Sequence, residues 1–187
     1  MFIQTERTPN PATLKFLPGR EVLAAGTADF PTAEDAVRSP LAAALFEVPG
    51  VGGVFLGADF ITVTKSDGED WDALKPQLLG AIMQHFTAGA PILLDEAAAE
   101  PAEGSDDDPA DAEIITQIKA LLDEKVRPAV ARDGGDILYH GFREGVVYLH
   151  MQGSCAGCPS STATLKHGIE NLLRYYVPEV TEVRPIN

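Results

Sequence analysis

Apolar positions in this chain recur at two different spacings, and the changes of spacing mark out its elements. Phe2 to Thr5 reads as a short strand. Thr8-Pro9-Asn10-Pro11 breaks it. Leu14-Lys15-Phe16-Leu17 alternates as a half-buried strand does, and Pro18-Gly19 turns the chain, with Glu21 to Ala25 as the returning strand. Ser39-Pro40 then opens a short helix through Leu41, Leu45 and Phe46, with the serine as N-cap and the proline in the first turn. Val51 to Leu56 and Phe60 to Lys65 form a hairpin around Gly57-Ala58-Asp59. From Asp70 the spacing lengthens. Trp71, Leu74, Leu78, Ile82 and Phe86 recur every three or four residues, which predicts an amphipathic helix running to about Thr87.

The second half repeats neither the order nor the sequence of the first. Ile114, Ile115, Ile118, Leu121, Leu122 and Val126 mark one helix, which Pro128 kinks or restarts before a short turn reaches Arg132. Asp133-Gly134-Gly135-Asp136 is a turn. Ile137 to Phe142 and Val146 to Met151 form a hairpin through Arg143-Glu144-Gly145. Pro159 stands where a first helical turn accepts proline. Leu165, Ile169, Leu172, Leu173 and Tyr176 give the following helix a buried face. Pro178 stops it, and Val180 to Arg184 reads as a last strand. The expected class is α+β: two small mixed domains, the second in the order α-β-β-α-β.

Charge locates the boundary. The chain has 187 residues and a formal net charge of -14. Asp95 to Ala112 holds 8 acidic and no basic residues, whereas the segments before and after it carry -5 and -1. That segment has almost nothing to bury and repels itself, so it is expected to be a flexible, solvated linker. Its 18 residues would span on the order of 20–25 Å if fully flexible. The expected organisation is a domain at 1–94, a linker at 95–112 and a domain at 113–187. An acidic chain without a basic stripe argues against nucleic-acid binding. No apolar run is long enough to span a bilayer. The start, Met1-Phe2-Ile3-Gln4-Thr5, has neither a signal-peptide nor a transit-peptide character, so the cytoplasm is the default expectation.

The chemistry concentrates in Gly153-Ser154-Cys155-Ala156-Gly157-Cys158-Pro159, which holds the only two cysteines of the chain. Two thiols at this spacing can chelate a soft metal or close a small disulfide. They cannot complete a metal site, because tetrahedral zinc and iron–sulfur clusters normally take four protein ligands. The remaining ligands come from a second copy of the chain or from elsewhere in it, or the protein binds no metal. The pair lies just ahead of a helix N-terminus, whose unpaired N–H groups and dipole favour negative charge. A lowered thiol pKa is therefore expected. The small Ala156 and Gly157 would let backbone amides approach sulfur. The four histidines, His85, His140, His150 and His167, form no close pair in sequence and read as ordinary surface or packing residues.

Two stretches together carry a family resemblance. Arg127 through Asp136, a hairpin, and then Gly153 through Ser161 resemble the NifU C-terminal-type domain of Nfu iron–sulfur proteins. Thr8-Pro9-Asn10-Pro11-Ala12-Thr13-Leu14-Lys15-Phe16-Leu17-Pro18-Gly19 resembles the Nfu N-terminal domain. The resemblance covers both ends of the chain in the family's order. It implies a scaffold or carrier, not an enzyme. Such a protein would hold one labile [4Fe–4S] cluster between two subunits, with Cys155 and Cys158 of each as ligands. It would receive the cluster from upstream assembly proteins and pass it to apo-acceptors. The Asp133–Asp136 turn is not a ligand set in the family; its glycines serve a positive backbone angle or close packing. For the N-terminal domain the resemblance suggests partner recognition.

Two rivals share the cysteine pair. A thioredoxin-like thiol–disulfide oxidoreductase also places C-x-x-C at a helix start. However, no tryptophan precedes Cys155, the proline lies outside the pair, and too little chain follows for the rest of that sheet. A structural zinc dimer would use the same four thiolates and would be colourless.

Overall fold

Leu14 and Phe16 point to one face of a strand and Thr13 and Lys15 to the other, yet all four are buried. That strand is therefore interior to a sheet. The computed structural model describes residues 2–94, 107–155 and 159–186 and divides into two units, Met1–Glu100 and Pro101–Asn187. Residues 95–106, most of the expected linker, lie outside the described residues.

In the first unit, β1 (Gln4–Arg7), β2 (Thr13–Leu17), β3 (Ala28–Phe30), β4 (Val51–Leu56) and β5 (Ile61–Lys65) form an antiparallel sheet in the order β1-β2-β5-β4-β3. Helices α1 (Pro40–Phe46) and α2 (Trp71–Ala88) join Phe16, Phe30, Leu56 and Ile61 of the sheet in one core through Leu41, Leu45, Leu74, Leu78 and Ile82. Both helices start as their sequence dictates. The Ser39 hydroxyl accepts from the Ala42 N–H at 3.1 Å and donates to the Ile92 carbonyl at 2.6 Å. The Asp70 carboxylate accepts from the Asp72 N–H at 3.0 Å. Gly89, at φ 66°, ends α2 in the left-handed conformation that glycine adopts without strain.

Two expectations shift here, and one strand is present that the sequence did not predict. The first strand runs two residues later than its apolar start suggested, and Ile3 enters the core ahead of it. Glu21 to Ala25 is not a strand. The Val22 and Leu23 N–H groups both bond to the Ala58 carbonyl, at 2.7 and 3.2 Å, and two successive donors on one acceptor cannot form a ladder. β2 pairs with β1 and β5, and the strand that was not predicted is the three-residue β3 on the outer side of β4, too short to carry a periodic signal.

In the second unit, α3 (Ala112–Leu121) passes through a π-helical turn at Leu122–Val126 into α4 (Arg127–Arg132). Pro128 thus stands in the first turn of a restarted helix, as expected, and the path between the two helices stays helical. The wider turn just ahead of it accommodates the missing N–H and the ring. Then come β6 (Gly135–Arg143), β7 (Val146–Gly153), α5 (Pro159–Tyr176) and β8 (Glu182–Ile186), in the expected α-β-β-α-β order. β7 pairs antiparallel with β6, across a bulge between Tyr139 and Gly141, and parallel with β8. Ile118, Leu122, Ile137, Val147, Leu149, Ile169, Leu173 and Val183 fill the core between helices and sheet. Tyr176, expected on the buried face of α5, is 48% exposed, and its neighbour Tyr175 is 80% exposed.

The acidic run acquires structure before α3. The Asp107 carboxylate accepts from the Tyr139 hydroxyl at 2.6 Å and from the Phe142 N–H at 3.3 Å, and Asp108 caps a turn of 3-10 helix at Pro109–Asp111. Residues 107–112, read from charge alone as tether, are bonded to β6 or lead directly into α3. Among the described residues, no helix is long and apolar enough to cross a membrane.

Candidate functional site

β7 ends at Gly153, which takes φ 65° and turns the chain out of the sheet; Ser154 and Cys155 follow. Helix α5 then starts at Pro159. Cys155 therefore occupies the loop between a central strand and a long helix. Cys158, with Ala156 and Gly157, lies outside the described residues.

The loop is held from below by the Asp133–Asp136 turn. Gly134 reverses the chain at φ 83°, and its carbonyl accepts from the Ser154 N–H at 3.2 Å. The Ser154 hydroxyl donates to the Asp133 carbonyl. Gly135 lies against the cysteine itself. A Cβ at that position would stand 2.6 Å from Cys155 Sγ, 2.7 Å from the Gln152 carbonyl oxygen and 3.2 Å from the Cys155 nitrogen. Only glycine fits there without displacing the thiol or the β7 backbone. Both predicted uses of the glycines occur, one at each residue.

The turn is clamped in its place. Asp136 is 3% exposed and receives both arms of the Arg127 guanidinium, Nε at 2.9 Å and Nη2 at 2.8 Å. Its Oδ1 also accepts from the Ile137 N–H at 2.8 Å. Asp123, one helical turn before Arg127, takes the remaining guanidinium arm at 3.1 Å. Asp136 is the largest cause holding the Arg127 pKa above its ordinary value. The fork geometry suits a carboxylate, so helix α4 and strand β6 are tied beneath the cysteine loop.

Cys155 departs from expectation in its ionisation. It is 6% exposed, and burial pushes its thiol pKa up to about 12; the Ser154 hydrogen bond lowers it, while the Asp133 and Asp136 carboxylates add to the rise. Desolvation of the charged form outweighs the helix end that the sequence pointed to. The protein holds this thiol protonated, and a metal ion must displace the proton to bind sulfur. Among the described residues, no group of three or more His, Cys, Asp or Glu side chains is placed to hold a metal.

The Arg127–Asp136 ion pair is the part of the site that motif reading did not assign, and Ser154, expected as a donor near sulfur, donates to the Asp133 carbonyl. The pair's only signal was the spacing of an arginine nine residues ahead of a carboxylate.

Comparison with known proteins covers both units. The family model described as "Scaffold protein Nfu/NifU N terminal" matches residues 3–89, and that described as "NifU-like domain" matches residues 118–184. A human protein named "NFU1 iron-sulfur cluster scaffold homolog, mitochondrial" is 51% identical over 187 residues, spanning 100% of this chain and 72% of its own length. "NifU-like protein 4, mitochondrial" from Arabidopsis thaliana is 51% identical, spanning 98% of this chain and 65% of its own. The chain thus spans about two thirds of the length of these relatives. A solution structure of a NifU-like protein from Saccharomyces cerevisiae aligns at TM-score 0.46 and 26% identity, covering 51% of this chain and 86% of that one. The relatives' names overturn the cytoplasmic expectation, since they carry the word mitochondrial. That expectation rested on the character of Met1 to Thr5.

Proposed function

The chain belongs to the Nfu family of iron–sulfur cluster scaffold proteins, and from that premise we propose that two copies of it hold one labile [4Fe–4S] cluster on Cys155 and Cys158 of each. The cluster is cargo: upstream assembly proteins supply it, and apo iron–sulfur proteins receive it by thiolate exchange. The family description and the human relative's name both carry the word scaffold, which supports a carrier role. The mitochondrial names of the relatives point this chain toward that compartment.

The observation that carries the reading is the Cys155 loop. The only two thiols of the chain lie in the NifU-like region, after a central strand and ahead of an 18-residue helix. Two sulfurs per chain suit a four-thiolate cluster only if a second copy supplies the other two, and a symmetric pair achieves this with one kind of contact. Opening such a pair halves the coordination, which is a physical route to release. The thiol–disulfide reading has less support. An attacking thiol needs exposure and a low pKa, and Cys155 has neither.

Anaerobic reconstitution with iron and sulfide tests the proposal. The expected product is brown, contains about two irons per chain and sediments as a dimer, whereas the metal-free chain sediments mostly as a monomer. Cys155→Ser and Cys158→Ser each remove two of the four thiolates, so each is expected to lose both the cluster and its transfer to an apo-acceptor while keeping its circular dichroism. A variant that retains a full cluster refutes the shared site. A colourless product holding zinc points instead to a structural dimer.

A further inference from the structure

The Thr8-Pro9-Asn10-Pro11 segment, which the cluster chemistry leaves unused, walls a cleft of about 610 Å³ in the first unit. The cleft lies between the sheet edge at β1 and the first turns of α2. Leu14 and Arg7 line it from the strands, and Trp71 and Lys75 from the helix.

The loop is built before any ligand arrives. Asn10 is 7% exposed; its side-chain oxygen accepts from the Ala12 N–H at 3.0 Å, and its carbonyl accepts from the Thr8 hydroxyl at 2.8 Å and the Thr13 N–H at 3.0 Å. Trp71 Nε1 donates to the Pro11 carbonyl at 3.1 Å, which ties the helix start to the same loop. A preformed cleft loses little order on binding.

Two features define what it would take. First, β1 is an edge strand: β2 is its one neighbour in the sheet, and three of its four residues are exposed. Its register with β2 sets Thr5 and Arg7 opposite Phe16 and Leu14, so both side chains stand on the face that looks into the cleft. Second, the charge of the cleft is opposite to that of the chain. Arg7 and Lys75 line it against the single carboxylate of Asp72, in a protein of net charge -14. Neither cation makes an ion pair among the described residues. The first turn of α2 adds the positive end of an 18-residue helix.

We propose that this cleft receives an extended segment of a partner protein, added as a further strand along β1, with an acidic side chain seated between Arg7 and Lys75. Main-chain bonds to the free edge give affinity, and the two cations select a carboxylate on the side chain that faces α2. The inference stands apart from the cluster reading, because the cleft belongs to the first unit and its test needs no iron.

Trp71 is the only tryptophan of the chain, so its fluorescence reports on this cleft directly. The probe is a short blocked peptide that alternates valine and threonine around one glutamate, titrated into the full-length metal-free protein and followed by Trp71 emission and calorimetry. Saturable binding is expected. It should weaken roughly tenfold when glutamine replaces the glutamate, and by a similar factor in Arg7→Gln and in Lys75→Gln, since each change removes a charge-assisted bond. N-methylation of alternate peptide amides should abolish it. Equal affinity for the glutamate and glutamine peptides, indifference to both variants, or no binding of either peptide overturns the proposal. A phosphoserine peptide that binds where the glutamate peptide does not overturns it as well, because the cleft would then read phosphate and not carboxylate.

Discussion

Replacing Gly135 by alanine adds one methyl group at the point where the turn meets the cysteine loop. The new Cβ would stand 2.6 Å from Cys155 Sγ and 2.7 Å from the Gln152 carbonyl oxygen, about 1 Å inside ordinary contact distance. Neither neighbour yields freely. The Gln152 oxygen is backbone of β7, held by the register that pairs Gly135 with Gly153. The sulfur lies in a packed site in contact with the core of the second unit. Overpacking of this kind costs about 1–3 kcal/mol. Gly168 provides the control. It lies within α5, and a Cβ there meets nothing within 4 Å. Gly168→Ala should therefore stabilise by about 0.5–1 kcal/mol through helix propensity alone. The assay is urea unfolding followed by two probes. Trp71 emission reports the first unit, and far-UV circular dichroism reports both. Gly135→Ala should move the dichroism transition to lower urea and leave the Trp71 transition in place, while Gly168→Ala moves dichroism the other way. If both alanines shift stability in the same direction, the steric account of Gly135 is wrong.

Three further outcomes follow from the same structure. Arg127→Met strands a carboxylate that is almost wholly buried, and should cost about 2–4 kcal/mol, discounted for the partial exposure of the guanidinium; the double variant with Asp136→Leu should lose less than the sum of the two single variants, which a double-mutant cycle in urea measures. Burial, with Asp35 adding to it, raises Asp29 to about 6, above its unfolded value near 4. The native state therefore binds the proton more tightly, so stability falls as pH rises from about 4 to 6 and stays lower above. Asp29→Asn should remove that slope and stabilise the first unit at pH 7 by on the order of 2–3 kcal/mol, with little gain at pH 4; equal gains at both pH values would refute the burial cost. In the metal-free Cys158→Ser protein, iodoacetamide should alkylate Cys155 roughly a thousandfold more slowly at pH 8 than it does an ordinary thiol, with a rate still climbing above pH 10; a plateau near pH 9 would show an unperturbed thiol.

Local chemistry alone determined much of this protein. Ser39-Pro40 and Asp70 started helices where they stand, because a cap needs only a side chain and the next two or three N–H groups. The alternation around Phe16 and the 3.6-residue period through Leu74, Leu78 and Ile82 gave strand and helix, since each period follows from one element's own geometry. The family, and with it the scaffold role, was legible because its two motifs are contiguous in the chain. Tertiary structure decided what depends on partners distant in sequence. β3 exists because β4 offers an edge to pair with, and Glu21 to Ala25 fails as a strand because Ala58 takes two of its donors. Pro128 stays within a continuous helical path because a π turn makes room for it. Asp107 leaves the acidic run because Tyr139 lies within reach. The ionisation of Cys155 shows the limit most clearly. A helix start promises a thiolate, but that promise assumes solvent or positive charge around the sulfur. Folding surrounds it instead with Gly135, the core and two carboxylates, and desolvation is set by the whole fold.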